Sequence, residues 1–119
     1  MRVLVCGGRN YNDRSFLFEK LDLFQYVVGP IDYLMQGGAT GADLFAYQWA
    51  LANSIPCQTY RAKWNEYRKA AGFIRNQQML DEGKPDIVVA FPGGRGTKDM
   101  IDRANKAGIR VIEYMNDKD

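Results

Sequence analysis

The sequence predicts a three-layer α/β fold, in which a mostly parallel sheet of five strands in the order 3-2-1-4-5 lies between two layers of helices. Short apolar runs alternate with amphipathic stretches, the clearest runs are apolar on both faces, and double glycines follow three of them. Such runs are typical of strands covered on both sides, as in parallel sheets. With no linker or low-complexity segment in the sequence, we expect residues 1–119 to form a single domain.

Five strands are predicted from the apolar runs, and each is short. The fourth, with the sequence DIVVAF, has the most continuous apolar character. The predicted strands are Val3–Cys6, Ile31–Met35, Cys57–Tyr60, Asp86–Phe91 and Ile109–Tyr114.

Four helices are predicted between the strands, where apolar residues recur every three or four positions. They are Ser15–Tyr26, Gly41–Asn53, Ala70–Asp81 and Thr97–Lys106. The side chains that this spacing directs toward the sheet are Leu17, Leu21, Phe24, Leu44, Tyr47, Leu51, Met100, Ile101 and Ala104. The stretch Arg61–Lys69 is long for a plain connection, so we expect an irregular loop that covers a ligand.

The composition argues against several classes of function. The chain has 16 basic and 14 acidic side chains, and its net charge of +2 gives no strong field for a nucleic-acid backbone. No apolar run has the length that crosses a bilayer, so we expect neither a nucleic-acid nor a membrane partner. The lack of histidine and the wide separation of two cysteines disfavour a metal site. Cys6 and Cys57 lie in apolar segments, which indicates buried, reduced thiols in a cytoplasmic protein.

Three double glycines that follow predicted strands are the most informative feature of the sequence. They are Gly7-Gly8, Gly37-Gly38 and, after Pro92, Gly93-Gly94. All turns from strand to helix lie at one edge of a parallel sheet, so the three pairs should converge there. In the predicted strand order, the ligand crevice opens between the first and fourth strands. For any one pair, a tight turn with close helix packing is a sufficient alternative explanation.

Glycine turns at helix starts suit an anionic ligand. Glycine lets backbone N–H groups approach a ligand, and the following helix directs free N–H groups and partial positive charge toward it. Arg9, Arg75 and Arg95 would supply fixed charge for a phosphate or carboxylate. The P-loop pattern and G-x-G-x-x-G are both absent, so ordinary P-loop or dehydrogenase-type binding is not supported. We therefore expect a nucleotide-like ligand and no required cofactor.

Residues that flank the second turn and the last helix each have two interpretations. Thr40 and Asp43 have the spacing of a capping box around Gly41, with Thr40 as the N-cap of the second helix. Asp43 would alternatively accept hydrogen bonds from ribose hydroxyls. Thr97 is expected to cap the last helix, and a phosphate contact is the alternative.

Arg75 and Asn76 are either an exposed polar pair or an anion-binding arginine beside an amide that contacts a base edge. Tyr11, Trp64 and Tyr67 are candidates for stacking on a base, and the charged surroundings of Trp64 argue against a core position. The candidate ligand-binding residues are Gly7, Gly8, Arg9, Tyr11, Gly37, Gly38, Thr40, Gly41, Asp43, Trp64, Arg75, Asn76, Pro92, Gly93, Gly94, Arg95, Gly96 and Thr97.

Four segments resemble the YspA-like branch of the SLOG superfamily, a group of small Rossmann-like proteins from bacteria and their phages. The segments are MRVLVCGGRNY, QGGATGAD, WNEYRKAAGFIRNQQML and DIVVAFPGGRGTKDM, and the resemblance covers about residues 1–114. It implies a Rossmann-like fold and the binding of nucleotides or nucleotide-derived signals on the glycine turns.

The superfamily includes the LOG phosphoribohydrolases, which release a base from a nucleoside monophosphate. Their motif PGGxGTxxE ends in a catalytic glutamate, whereas Met100 stands at that position here. A thioether cannot act as a base. Arg75 matches the second catalytic residue of the LOG enzymes, and Asp99, one residue before Met100, points about 100° away from it on a helix. The resemblance therefore favours binding over catalysis.

Three functions remain open at this stage. The first is a module that senses, carries or sequesters a nucleotide derivative, and the second is a nucleotide N-glycosidase that uses Asp99, Glu82 or Asp43 in place of the glutamate. The third is a protein-interaction subunit with a vestigial pocket. The first helix has more aromatic side chains than one core stripe needs, so we expect a homo-oligomer, a dimer or a tetramer. These side chains are Phe16, Phe18, Phe24 and Tyr26.

Overall fold

A computed structural model describes residues 1–116 of the chain. Its strands are β1 (Arg2–Cys6), β2 (Tyr33–Gln36), β3 (Cys57–Thr59), β4 (Ile87–Ala90) and β5 (Arg110–Glu113). They form one sheet in the order β3-β2-β1-β4-β5, and every neighbouring pair is parallel. The predicted α/β fold and strand order are confirmed, and the sheet is parallel throughout.

Two layers of helices cover the two faces of the sheet. The helices are α1 (Arg14–Val27), α2 (Ala42–Ala52), α3 (Trp64–Tyr67), α4 (Ala71–Gln78) and α5 (Arg95–Lys106). α1 packs on α2 over one face, and α4 packs on α5 over the other.

The central strand β1 explains why both layers form. Val3 and Val5 belong to the core beneath α1 and α2, whereas Leu4 and Cys6 belong to the core beneath α4 and α5. Side chains alternate between the faces of a strand, so a strand covered on both sides is apolar at every position. The continuous apolar run at the start of the sequence thus requires two helical layers.

The predicted core stripe of α2 is wrong. Leu44, Tyr47 and Leu51 are exposed, and Leu51 retains 66% of its accessible surface. The buried side of α2 is the one that carries small side chains and one large aromatic, namely Ala42, Ala46, Trp49 and Ala50. Alanines let the helix approach β1 and α1 closely, and Trp49 fills the remaining space while its indole N–H donates to Asp22 Oδ1 at 2.9 Å.

The stretch Arg61–Lys69 is more regular than predicted. Trp64–Tyr67 forms α3, and Arg68–Ala70 forms a 3-10 turn that leads into α4. Arg68, the first residue of this turn, has a φ of +53°. α4 is shorter than the predicted helix, because it ends at Gln78 and a π-helical turn, Met79–Gly83, follows it. No side chain of residues 64–70 is buried, so this segment lies over the protein surface.

Surface features of α1 bear on the predicted homo-oligomer. Phe24 is buried and Phe16 and Phe18 are partly buried, while Tyr26 and Val27 are exposed. The aromatic excess thus belongs largely to the core, and the homo-oligomer stays a prediction.

Both cysteines are free, as predicted, although Cys57 on the edge strand β3 is only half-buried. Burial raises the pKa of the Cys6 thiol, which keeps that group neutral. Within residues 1–116, no helix combines the length and apolar character that a bilayer-spanning segment needs.

The corrected orientation of α2 is testable by two substitutions. Leu51→Gln changes an exposed side chain, so it should alter the free energy of unfolding by less than about 0.5 kcal/mol. Ala46→Leu adds volume to a fully buried position and should cost about 1–3 kcal/mol. Urea denaturation monitored by circular dichroism would measure both. A large loss of stability for Leu51→Gln would contradict this orientation and support the predicted burial of Leu44, Tyr47 and Leu51.

Candidate functional site

The first and fourth strand-to-helix turns meet directly at the carboxyl end of the sheet. The first turn is residues 7–13, between β1 and α1, and the fourth is residues 91–94, between β4 and α5. The Gly8 N–H donates to the Pro92 carbonyl oxygen at 2.9 Å. A Cβ on Gly8 would lie only 3.1 Å from Gly93 Cα, so a side chain there would require the backbone of the fourth turn to shift by a few tenths of an ångström. The predicted convergence of these turns is therefore observed.

A cleft of about 690 Å³ opens above these two turns, and it is called the main cleft below. It lies where the chain, after β3, returns to the other side of β1 to form β4. Its lining comprises residues 6–12 and 92–97 together with Ala39, Asp43, Arg75, Asn76 and Met79.

A smaller cleft of about 300 Å³, the side cleft, adjoins the main cleft. Its lining comprises Arg9, residues 37–40, Arg61, Ala62, Trp64 and Arg75. Arg9, Ala39 and Arg75 line both clefts. The three glycine turns thus serve two adjoining spaces, with the second turn, residues 37–41, mainly in the side cleft.

A buried carboxyl and a guanidinium lie beside each other in the main cleft. Asp43 is only 6% exposed, and its Oδ2 accepts a hydrogen bond from the Ala39 N–H at 3.2 Å. A Cβ on Gly37 would collide with the Arg75 guanidinium and lie 3.0 Å from Asp43 Oδ2, so the glycine makes room for both groups. Burial raises the pKa of Asp43 to about 6, although backbone N–H groups and the Arg75 charge oppose that rise.

Adjacent residues of α4 support two different turns. Arg75 Nη1 donates to the Gly37 carbonyl oxygen at 2.6 Å, while Asn76 Nδ2 donates to the Gly96 carbonyl oxygen at 3.1 Å. Arg75 Nε in turn donates to Asn76 Oδ1 at 3.2 Å. The buried Asn76 amide is thus engaged within the protein, which favours a positioning role over contact with a base edge.

Gln36, which we did not predict as a site residue, also holds the second turn in place through hydrogen bonds. Gln36, the last residue of β2, is almost fully buried. Its Oε1 accepts from the Gly38 N–H at 2.6 Å, and its Nε2 donates to Thr59 Oγ1 at 2.6 Å. A glutamine in the last position of an otherwise apolar strand was the available signal. Other lining residues that sequence reasoning missed are Cys6, Asn10, Asn12, Ala39, Arg61, Ala62 and Met79.

The predicted helix caps are wrong at both threonines. α2 begins after Gly41, which has a φ of +73°, and the Thr40 hydroxyl donates to the Arg9 carbonyl oxygen at 2.9 Å. Asp43 does reach back, but to Ala39. α5 begins after Gly94, and Thr97 lies buried inside its first turn, against Gly93. Local spacing predicted caps, whereas close packing between turns places the Thr40 hydroxyl on Arg9 and the Thr97 side chain against Gly93.

The aromatic candidates occupy different environments. Tyr11 lines the main cleft but packs on Phe45 and Phe91, and its hydroxyl donates to Asn116 Oδ1 at 3.4 Å. Trp64 lines the side cleft, is 49% exposed, and has the Arg9 guanidinium 5.9 Å from its ring centroid. The structure therefore separates the two aromatic rings between the two clefts.

Two catalytic candidates, Asp99 and Glu82, lie outside both clefts, whereas Arg75 and Asp43 line the main cleft. Asp99 Oδ2 accepts from Arg103 Nε at 2.7 Å and from Asn76 Nδ2 at 3.0 Å, so this carboxylate is held in an ion pair. Glu82 is an exposed residue of the π-helical turn that follows α4. Met100 is fully buried on the inner side of α5, as predicted, in the apolar core that also contains Cys6 and Val88.

The fold and the position of the main cleft define a Rossmann-like α/β domain with a ligand-sized cleft where the strand order reverses. The chain belongs to the YspA, cpYpsA-related SLOG family (YAcAr), whose profile matches residues 1–67. It is 36% identical to the Gene 61 protein of Mycobacterium phage D29, over 95% of each chain.

A solved structure also shows similarity, the phosphoribosylglycinamide formyltransferase (purN) of Coxiella burnetii in complex with CHES. It superposes with a TM-score of 0.47 at 13% identity and covers 80% of this chain. The present chain spans 42% of that protein.

The raised pKa of Asp43 predicts a specific pH dependence of stability. Its pKa is about 6 in the folded protein and 3.8 ordinarily, so the folded state binds the proton more tightly. The contribution of this group to the free energy of unfolding is therefore greatest below about pH 4. It falls by about 3 kcal/mol in total as the pH rises through about 6.

Comparison with Asp43→Asn isolates this contribution, because the amide does not titrate while its Oδ1 still accepts the Ala39 hydrogen bond. Urea denaturation between about pH 4 and 7 should show the variant gaining stability relative to the wild type as the pH rises. Parallel curves for the two proteins would contradict the assignment.

Proposed function

We propose that this protein binds a nucleotide or nucleotide-derived small molecule in the main cleft and acts in the cytoplasm as a sensor, carrier or sequestering protein. The ligand's negatively charged group lies against the fourth turn and the start of α5. Membership of the SLOG family and the Rossmann-like fold support a nucleotide-related ligand.

The observation that carries the proposal is bare backbone at Gly94 and Gly96. Apart from its chain neighbours and the backbone of its own helix, a methyl group at either position would meet no atom of residues 1–116 within 4 Å, and neither residue has a positive φ. In contrast, a Cβ on Gly93 would collide with Thr97 and the first turn. Packing thus explains the glycine at 93 but not those at 94 and 96, which line the main cleft. A ligand that contacts the backbone at positions 94 and 96 would explain why both residues are glycine.

Charges around the cleft support two kinds of contact. Arg95 stands at the first position of the twelve-residue helix α5, whose free N–H groups and dipole favour an anion. Arg9 stands on the first turn across the cleft, and both arginines are exposed. Asp43 lies deeper, where a carboxylate repels phosphate but accepts hydrogen bonds from ribose hydroxyls. We place the phosphate near Arg95 and the sugar near Asp43.

Glycine-to-alanine substitutions test the proposal without damaging the fold. Gly94→Ala and Gly96→Ala should each weaken nucleotide binding by about tenfold or more, equivalent to about 1.4 kcal/mol, because the methyl group occupies ligand space. Gly96→Ala should at the same time raise the free energy of unfolding by about 0.5–1 kcal/mol, since Gly96 lies inside a helix.

Isothermal titration calorimetry with AMP, ADP and ADP-ribose would measure the affinities. Asn105→Ala is the control, because Asn105 is an exposed residue of the same helix α5 and lines neither cleft. Arg75→Ala should also weaken binding. No binding of any of these nucleotides to the wild type would contradict the proposal.

A second candidate function, nucleotide N-glycosidase activity, is favoured by one observation. Asp43 is a buried cleft carboxyl with a pKa raised to about 6, which is the property that catalytic acids and bases often show. Neither Asp99 nor Glu82 lines either cleft, so Asp43 is the carboxyl that would perform the reaction.

Chromatography of AMP incubated with the protein tests this candidate. Hydrolysis would release adenine and ribose 5-phosphate, and Asp43→Asn should lower the rate by about a hundredfold or more. Asp99→Asn is the control and should retain most of the activity. Absence of adenine release by the wild type, or equal rates for wild type and Asp43→Asn, would exclude the enzyme.

A further inference from the structure

The side cleft differs in charge from the main cleft. Three arginines line it, Arg9, Arg61 and Arg75, and among residues 1–116 no acidic side chain lines it. The main cleft balances its arginines with Asp43. A cleft whose charged side chains are all cationic favours an anionic group, such as a phosphate, over an uncharged sugar hydroxyl or amide.

Two of these arginines are already held in place. Arg75 Nη1 donates to the carbonyl oxygens of Gly37 and Tyr60, at 2.6 and 3.3 Å. Arg61 Nη1 donates to the Gly38 carbonyl oxygen at 3.1 Å. Both guanidinium groups are thus tied to one side of the cleft and lose little additional freedom when an anion binds.

Trp64 adds an aromatic surface to this cationic cleft. It is 49% exposed, although tryptophan is highly buried on average in folded proteins. It is the first residue of the short helix α3 and lies opposite Arg9. An exposed indole beside arginines is the combination that binds a base by stacking while the cations bind its phosphate.

The two clefts adjoin at Arg9, Ala39 and Arg75, so one molecule can occupy both. The main cleft is already within the range of about 300–1,000 Å³ that is usual for a small ligand. The side cleft therefore adds a second compartment rather than completing the first. Its boundary with the main cleft carries two arginines, which is suitable for a phosphate chain that passes between them.

We propose that the ligand is a nucleotide extended through a pyrophosphate, with its base on Trp64 in the side cleft and its second sugar in the main cleft. One phosphate of the pyrophosphate lies between Arg9, Arg61 and Arg75, and the other lies near Arg95 against the start of α5, so the anionic group keeps the position given under the proposed function. This inference rests on the proposed function, because it assigns the second half of the same ligand.

ADP-ribose is a probe with this chemistry, and variants of each cleft distinguish the two proposals. Trp64→Ala and Arg61→Ala should each weaken its binding by about tenfold, as expected for loss of base stacking or of a phosphate contact. Arg61→Lys should recover part of the loss. Gly94→Ala reports on the main cleft. The matched controls are Tyr67→Ala and Lys69→Ala, exposed residues that line neither cleft.

Fluorescence gives a second readout that does not depend on a substitution. The chain has two tryptophans, and Trp49 is fully buried, so acrylamide quenching reports chiefly on Trp64. Saturating ADP-ribose should reduce that quenching. Thermal unfolding of every variant identifies any that does not fold. If Trp64→Ala does not fold, Arg61→Ala and the quenching of the wild type still test the inference.

Each outcome has a defined meaning. Loss of affinity in both sets of variants, with protection of Trp64, supports the two-compartment ligand. If Gly94→Ala weakens binding but the side-cleft variants do not, or if AMP binds and ADP-ribose does not, the inference is overturned and the proposed function stands. If only the side-cleft variants weaken binding, or if no nucleotide binds, both are overturned.

Discussion

Direct contact between backbones of neighbouring turns is the constraint on which the rest of the site depends. The first turn donates to the fourth through Gly8 and Pro92, and its Gly8 carbonyl oxygen accepts from Ala42 at the start of α2 at 3.1 Å. A Cβ on Gly7 would collide with Ala42, and one on Gly41 with the first turn. Because these backbones touch, the three glycine turns border two adjoining clefts, which arginines of the first turn, α4 and α5 also line.

Much of this arrangement could be predicted from the sequence, because short apolar runs and glycine turns are local patterns that restrict the topology of the sheet. Continuous apolar runs required a sheet covered on both faces, and three double glycines after strands required turns at one edge. The strand order then brought the first and fourth turns together, as the pairing of β1 with β4 shows. Lining residues such as Gly93, Arg95 and Asp43 followed from that placement.

The errors arose where close packing outweighed local pattern. Leucine at three- and four-residue spacing suggested the core side of α2, but alanine is buried because the helix lies close to its neighbours. Capping-box spacing at Thr40 was a local rule, and the contact with Arg9 that replaces it depends on tertiary approach. The roles of Gln36 and Asn76 also depend on tertiary hydrogen bonds, which spacing along the chain does not reveal.

The neighbouring positions of Arg75 and Asn76 on α4 have a mechanical consequence. One helix is attached to the second turn through the Gly37 carbonyl and to the first turn of α5 through the Gly96 carbonyl. Neither attachment point can move far without straining the other through the same short rigid element. Because Arg75 and Asn76 are neighbours on one helix, a displacement of either attachment point would move α4 or break one of these two hydrogen bonds.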